Sequence, residues 1–157
     1  MITLLLLLNA AFFEPGLVPG QTGKRNLVQI DAPETVQARA GKEFEVSVQF
    51  HVQDGYHINS NKPSEEYLIP TKVEWDASGA KHVSDDFPPA DMRVFDFTNG
   101  KKFSVFEGTR TLKARFTAPA SAGSVVLDGV FKYQACDQHA CYPPSKVPVH
   151  VTVKVER

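Results

Sequence analysis

The chain has 157 residues, 42% of them apolar and 22% charged, with 17 Lys and Arg against 18 Asp and Glu. That length suffices for one domain with a sizeable core, and the composition is ordinary for a soluble globular protein. The near balance of charge excludes a basic footprint for nucleic acid and gives no electrostatic reason for an anionic membrane partner.

Ile2 to Phe13 is apolar apart from Asn9, and Glu14-Pro15-Gly16 ends the run. A spanning helix needs ~20 apolar residues, so this stretch is too short to cross a membrane. It has the length of the apolar core of a secretory leader. No basic residue precedes it, the first being Lys24, and no small-x-small cleavage site stands out. A start codon placed too late would account for the missing basic residues. The expectation is a leader over residues 1–24, a single mature domain over 27–157, and an exported, periplasmic location. No later segment could span a membrane.

Leu27 to Ile30 reads as a short first strand, ended by Asp31-Ala32-Pro33, and Thr35 to Ala40 as a second. Glu43 to Val52 alternates without a fault. Phe44, Val46, Val48, Phe50 and Val52 fall on one face, and Glu43, Glu45, Ser47, Gln49 and His51 on the other, so one face packs and the other is wet. Asp54-Gly55 marks a turn. Tyr56 to Asn59 is short and extended, and Thr71 to Trp75 is the next strand. Asp76 to Asp91 reads as turn-rich, with Ser78-Gly79 and Pro88-Pro89. Met92 to Phe97 reads as extended and aromatic, followed by strands at Phe103–Phe106 and Thr109–Thr117. Ser124 to Ala135 is a long strand with a candidate bulge at Gly129. Val147, Val149, Val151, Val153 and Val155 share one face of the last strand.

No amphipathic helix emerges. Eight or nine short strands at regular spacing, with eleven Pro and ten Gly through the chain, predict an all-β fold, an immunoglobulin-like antiparallel β-sandwich. No internal repeat divides it. No long apolar surface run is evident, so a monomer is expected.

The two cysteines, Cys136 and Cys141, flank Asp137-Gln138-His139-Ala140 in a run that reads as a hairpin. Residues facing each other there have Cβ atoms ~4.5–5.5 Å apart, close to the ~3.5–4.5 Å of a disulfide, so a bond is feasible with slight tightening. In an exported domain two cysteines are most often oxidised. As a staple the bond is inefficient, since closing about six residues removes only ~2 kcal/mol of unfolded-state entropy against nearly ~5 for about 100 residues. A hairpin tip is exposed, as thiol exchange requires. His139 as imidazolium would favour a neighbouring thiolate, and Asp137 would oppose it. Three readings stay open at this point. One is thiol–disulfide exchange. Another is a non-enzymatic, protein-binding sandwich with a structural disulfide. The last is a copper- or zinc-binding module using Cys136, His139 and Cys141, with His57 as a fourth ligand. The spacing is not that of a zinc finger or ribbon, and neither metal nor cofactor is expected.

Tyr133-Gln134-Ala135-Cys136 and Cys141-Tyr142-Pro143-Pro144 resemble the active-site segment of the N-terminal periplasmic domain of the thiol:disulfide interchange protein DsbD. Asp54-Gly55-Tyr56-His57 and Phe106-Glu107-Gly108 support the resemblance, which runs from about Asp31 to Val155. It implies an immunoglobulin-like domain outside the cytoplasm with thiol:disulfide oxidoreductase activity. It also implies a thioredoxin-like electron donor and thioredoxin-like or isomerase acceptors. Cys141 would form the mixed disulfides and Cys136 would resolve them. The family shields its pair with an aromatic loop, here placed at Met92 to Gly100, with Phe97 or Phe95 as the cap. Tyr56, His57, Tyr133, His139 and Tyr142 would surround the pair.

Overall fold

The computed structural model describes residues 26–157, so the expected leader lies outside the described residues. The strands are β1 Val28–Asp31, β2 Thr35–Arg39, β3 Glu43–Val52, β4 His57–Asn59, β5 Lys72–Asp76 and β6 Lys81–Asp86. They continue as β7 Asp91–Arg93, β8 Phe103–Phe106, β9 Thr109–Thr117, β10 Gly123–Tyr133, β11 Ala135–Cys136 and β12 Ser145–Glu156, with one 3-10 helix at Asp96–Thr98. Three four-stranded sheets result, in the orders β1-β3-β9-β6, β2-β12-β10-β5 and β11-β4-β8-β7.

The first two sheets pack their alternating apolar faces together, and the all-β, immunoglobulin-like sandwich expected from the strand rhythm is the fold. Val46, Val48, Phe50 and Val52 of β3 are fully buried, as are Leu112, Ala114 and Phe116 of β9 and Val151 and Val153 of β12. Each such Val, Leu or Phe side chain contributes roughly 1.5–3 kcal/mol by leaving water. Phe50 joins all three sheets. Its ring lies 5.2 Å from Phe131 on β10 and 5.5 Å from Phe106 on β8. The third sheet carries a smaller cluster of its own, made of Leu68, Phe95, Phe103 and Val105, with Phe97 packed against it.

The structure departs from the sequence expectations at four places. The turn-rich stretch after Asp76 contains β6, which pairs with β9 through a register irregularity between His82 and Ser84. The sandwich is not wholly antiparallel, because β2 runs parallel to the end of β12. Met92 to Phe97 is extended only at its start and then turns into the 3-10 helix. Gly129 is not a bulge. It holds regular register with Val149 and Trp75. A Cβ there would meet Trp75 carbons at 2.7 and 2.8 Å, so the missing side chain makes room for the indole.

Candidate functional site

The site arises where one run of chain changes sheets. β10 pairs with β12 as far as Tyr133 opposite Ser145. After Gln134 the chain joins the third sheet, where Ala135 and Cys136 of β11 pair with Ile58 and His57 of β4. Below the loop, the two arms are tied by the Tyr142 amide, which donates to the Ala135 carbonyl at 2.8 Å. Gln134 Nε2 donates to the Tyr142 carbonyl at 3.1 Å, and Asn59 Nδ2 donates to Gln134 Oε1 at 3.3 Å. Pro143 and Pro144 then lead into β12 without amide hydrogens to satisfy.

Cys136 and Cys141 face each other as an isolated antiparallel bridge and are joined by a disulfide. Their surroundings differ. Cys136 is buried, at 1% exposure, whereas Cys141 is exposed. Asp137 shapes the loop between them. Its Oδ1 accepts from the His139 and Ala140 amides at 2.8 and 2.9 Å, and its Oδ2 accepts from the Tyr142 hydroxyl at 2.5 Å. These donors hold its pKa down to about 2, Tyr142 having the largest effect. His139 pairs with Asp96 on the 3-10 helix, Nδ1 lying 3.3 Å from Oδ2, and both side chains are well exposed.

His57 is the polar residue closest in register to the pair. It is 2% exposed and sits directly across from Cys136. Phe95 lies flat on its ring, with centroids 3.8 Å apart and planes 7° apart. Phe97 stacks in turn on Phe95 at 5.7 Å. Burial lowers the His57 pKa to about 4, against the opposing pull of Asp137. The aromatic segment is held in shape by Thr98, whose hydroxyl bonds both the amide and the carbonyl of Phe95.

The other expected residues fall nearby or apart. Tyr56 packs on Tyr142, with rings 5.9 Å apart. Tyr133 belongs to the main core, where burial raises its pKa and Ser145 is its side-chain hydrogen-bond partner. Among the described residues, the four side chains considered for a metal form no ligand group: the cysteines are joined, His139 pairs with Asp96, and His57 lies under Phe95. Sequence reasoning missed Gln134 and Asn59 as the ties beneath the loop, although Gln134 lies inside the Tyr-Gln-x-Cys run.

No curated protein matches the chain by sequence. A family model described as thiol:disulfide interchange protein DsbD, N-terminal, matches residues 24–152. Among solved structures, the N-terminal domain of DsbD from Neisseria meningitidis in its reduced form is similar at 18% identity and a TM-score of 0.50. The match covers 73% of this chain and 82% of that one. The N-terminal periplasmic domain of ScsB from Proteus mirabilis is similar at 11% identity and a TM-score of 0.54, over 78% of this chain and 44% of that one. A complex of the N-terminal domains of DsbD and PilB from Neisseria meningitidis aligns at 18% identity, with a TM-score of 0.48, over 87% of this chain and 88% of that one.

Proposed function

The chain belongs to the family of N-terminal domains of the thiol:disulfide interchange protein DsbD, and on that premise we propose how its parts divide the work. It is a thiol–disulfide interchange domain whose pair is Cys136–Cys141, and its family is periplasmic. Cys141 is the exchanging sulfur and Cys136 its resolver. The observation that carries this assignment is the difference in burial: an attacking thiolate can reach exposed Cys141 and not buried Cys136.

In the reductive half, a thiolate of a thioredoxin-like donor attacks Cys141 Sγ. The Cys136–Cys141 bond breaks and Cys136 leaves as a thiolate. The donor's second thiol then attacks its own sulfur in the mixed disulfide, releasing Cys141 and leaving two electrons on the domain. In the onward half, Cys141 attacks an acceptor disulfide outside the cytoplasm. Cys136 resolves the product, and the domain returns to its oxidised state. Repeated passage makes the domain a thiol:disulfide oxidoreductase. Phe95 and Phe97 serve as the aromatic cap, a reading supported by the stack that Phe97 and Phe95 form over His57. The docking face lies along the third sheet. Of the five exposed large apolar residues among the described residues, Tyr67, Ile69, Met92 and Val94 lie on or beside that sheet, and Val83 lies elsewhere.

Trapping tests the assignment. Cys136→Ala should accumulate a mixed disulfide between Cys141 and a thioredoxin-like protein, and Cys141→Ala should not. A reduction potential below about −300 mV, the range of structural disulfides, together with no trapped complex would sink it.

A further inference from the structure

When the disulfide opens, Cys136 becomes a thiolate with almost no water around it, since the residue is 1% exposed. Burial disfavours a charged sulfur unless something donates to it. The acidic groups around His57 offer no help. Asp137 shapes the loop, and Asp54 and Glu107 line a cavity of about 260 Å³ together with Tyr56, His57 and Gln138. None of these carboxylates can donate when ionised.

Among the described residues, two buried side-chain polar atoms have no hydrogen-bond partner, His57 Nε2 and Asn59 Oδ1. Asn59 Oδ1 is an acceptor, its amide orientation being set by donation from Nδ2 to the Ile69 carbonyl and Gln134 Oε1. It cannot help a thiolate. His57 Nε2 can. His57 and Cys136 are directly opposed across an antiparallel pair. Their side chains therefore leave the same face, with Cβ atoms about 4.5–5.5 Å apart. The flat contact with Phe95 fixes the plane of the imidazole.

We propose that His57 Nε2–H is the hydrogen-bond donor reserved for Cys136 whenever that sulfur is a thiolate. The inference rests on Cys141 being the exchanging sulfur and Cys136 the resolver. Burial holds the ring neutral at pH 7, so it carries a single N–H. The ring donates without changing its own charge. In the resolving step the Cys136 thiol first loses its proton to a buffer base. The thiolate, held by Nε2–H, attacks Cys141 Sγ. The bond from Cys141 to the partner sulfur breaks, the partner leaves as a thiolate, and His57 keeps its hydrogen throughout. The unpaired Nε2 of the oxidised state is then the cost of a donor placed in advance.

The test uses the reduced full chain and an aromatic disulfide, dithiobis(nitrobenzoate), which releases one coloured thiolate per step. The first release reports attack by Cys141 and the second reports resolution by Cys136. Cys136→Ala, giving the first release alone, assigns the phases. His57→Phe keeps a ring against Phe95 and removes the donor. It should slow the second release at pH 7 on the order of tenfold to a hundredfold, the range for a hydrogen bond to a charged group. The first release should be unchanged, and the deficit should shrink as the pH rises through the thiol range. His57→Gln offers an amide N–H that does not titrate and should restore most of the rate. A second release as fast in His57→Phe as in the wild type would overturn the proposal, as would an equal slowing of both releases. His57→Gln as slow as His57→Phe would overturn it too. A wild type that releases nothing would instead sink the exchange reading on which the inference rests.

Discussion

Asp137 sets the conformation of the four-residue loop more than any other side chain. It accepts two loop amides and the Tyr142 hydroxyl, and its own amide donates to the Ala140 carbonyl at 2.9 Å. This is the way an aspartate organises a turn. The charge is unwelcome beside a sulfur that must ionise, so its use here is geometric. Because its folded pKa lies below the ordinary 3.8, at about 2, its contribution is full above the unfolded value and is lost as pH falls through about 2. Tyr142→Phe removes the strongest of the three donors and keeps the ring against Tyr56. The Asp137 carboxyl, followed by carbon-13 NMR, should then titrate at higher pH than in the wild type. An unchanged midpoint would show that the amides alone hold it down.

At the scale of elements, β10 does two jobs. It forms the centre of one sheet between β12 and β5, and its continuation as β11 delivers Cys136 to another. Gly129 lets β10 stay regular where the only tryptophan of the chain crosses it. Gly129→Ala forces a methyl into the indole of Trp75 and should cost about 1–3 kcal/mol, the usual range for overpacking. The loss would appear in urea unfolding followed by Trp75 fluorescence, and a variant as stable as the wild type would contradict the close contact. The strands legible in the sequence, β3, β9 and β12, have one buried and one wet face, so burial left a period-two record in them. β6 left none. It is an edge strand reading Lys-His-Val-Ser-Asp-Asp with no buried residue, and its pairing is broken at His82/Ser84. The 3-10 helix hid behind the apolar and aromatic run of Val94, Phe95 and Phe97, residue types that suit a strand equally well. The cysteines were legible because four residues at a hairpin tip make them neighbours along the chain. The His57–Phe95 stack was not, because β4 and the segment before the 3-10 helix meet only in the folded third sheet. The ties from Asn59 through Gln134 to Tyr142 depend on the same meeting.

A protein that carries electrons on its own disulfide must stay folded with that bond open. Here the bond closes a loop of sequence separation 5 at the end of the third sheet, while the main core is gathered between the other two sheets around β3, β9, β10 and β12. Closing so short a loop withdraws little entropy from the unfolded chain, so reduction should cost only about 2 kcal/mol. Truncating Phe50, whose ring touches two further sheets, should cost more, about 3–5 kcal/mol. Urea unfolding with and without a reductant checks both. Reduction should shift the midpoint modestly and leave the slope unchanged, because nearly the same surface is exposed. Phe50→Ala should shift the midpoint further in either redox state. Near-ultraviolet circular dichroism of the reduced chain at 25 °C should keep the aromatic signature of the packed core. Its collapse on reduction would mean that the disulfide holds the sandwich together, and a bond with that duty could not be opened and closed at each turnover.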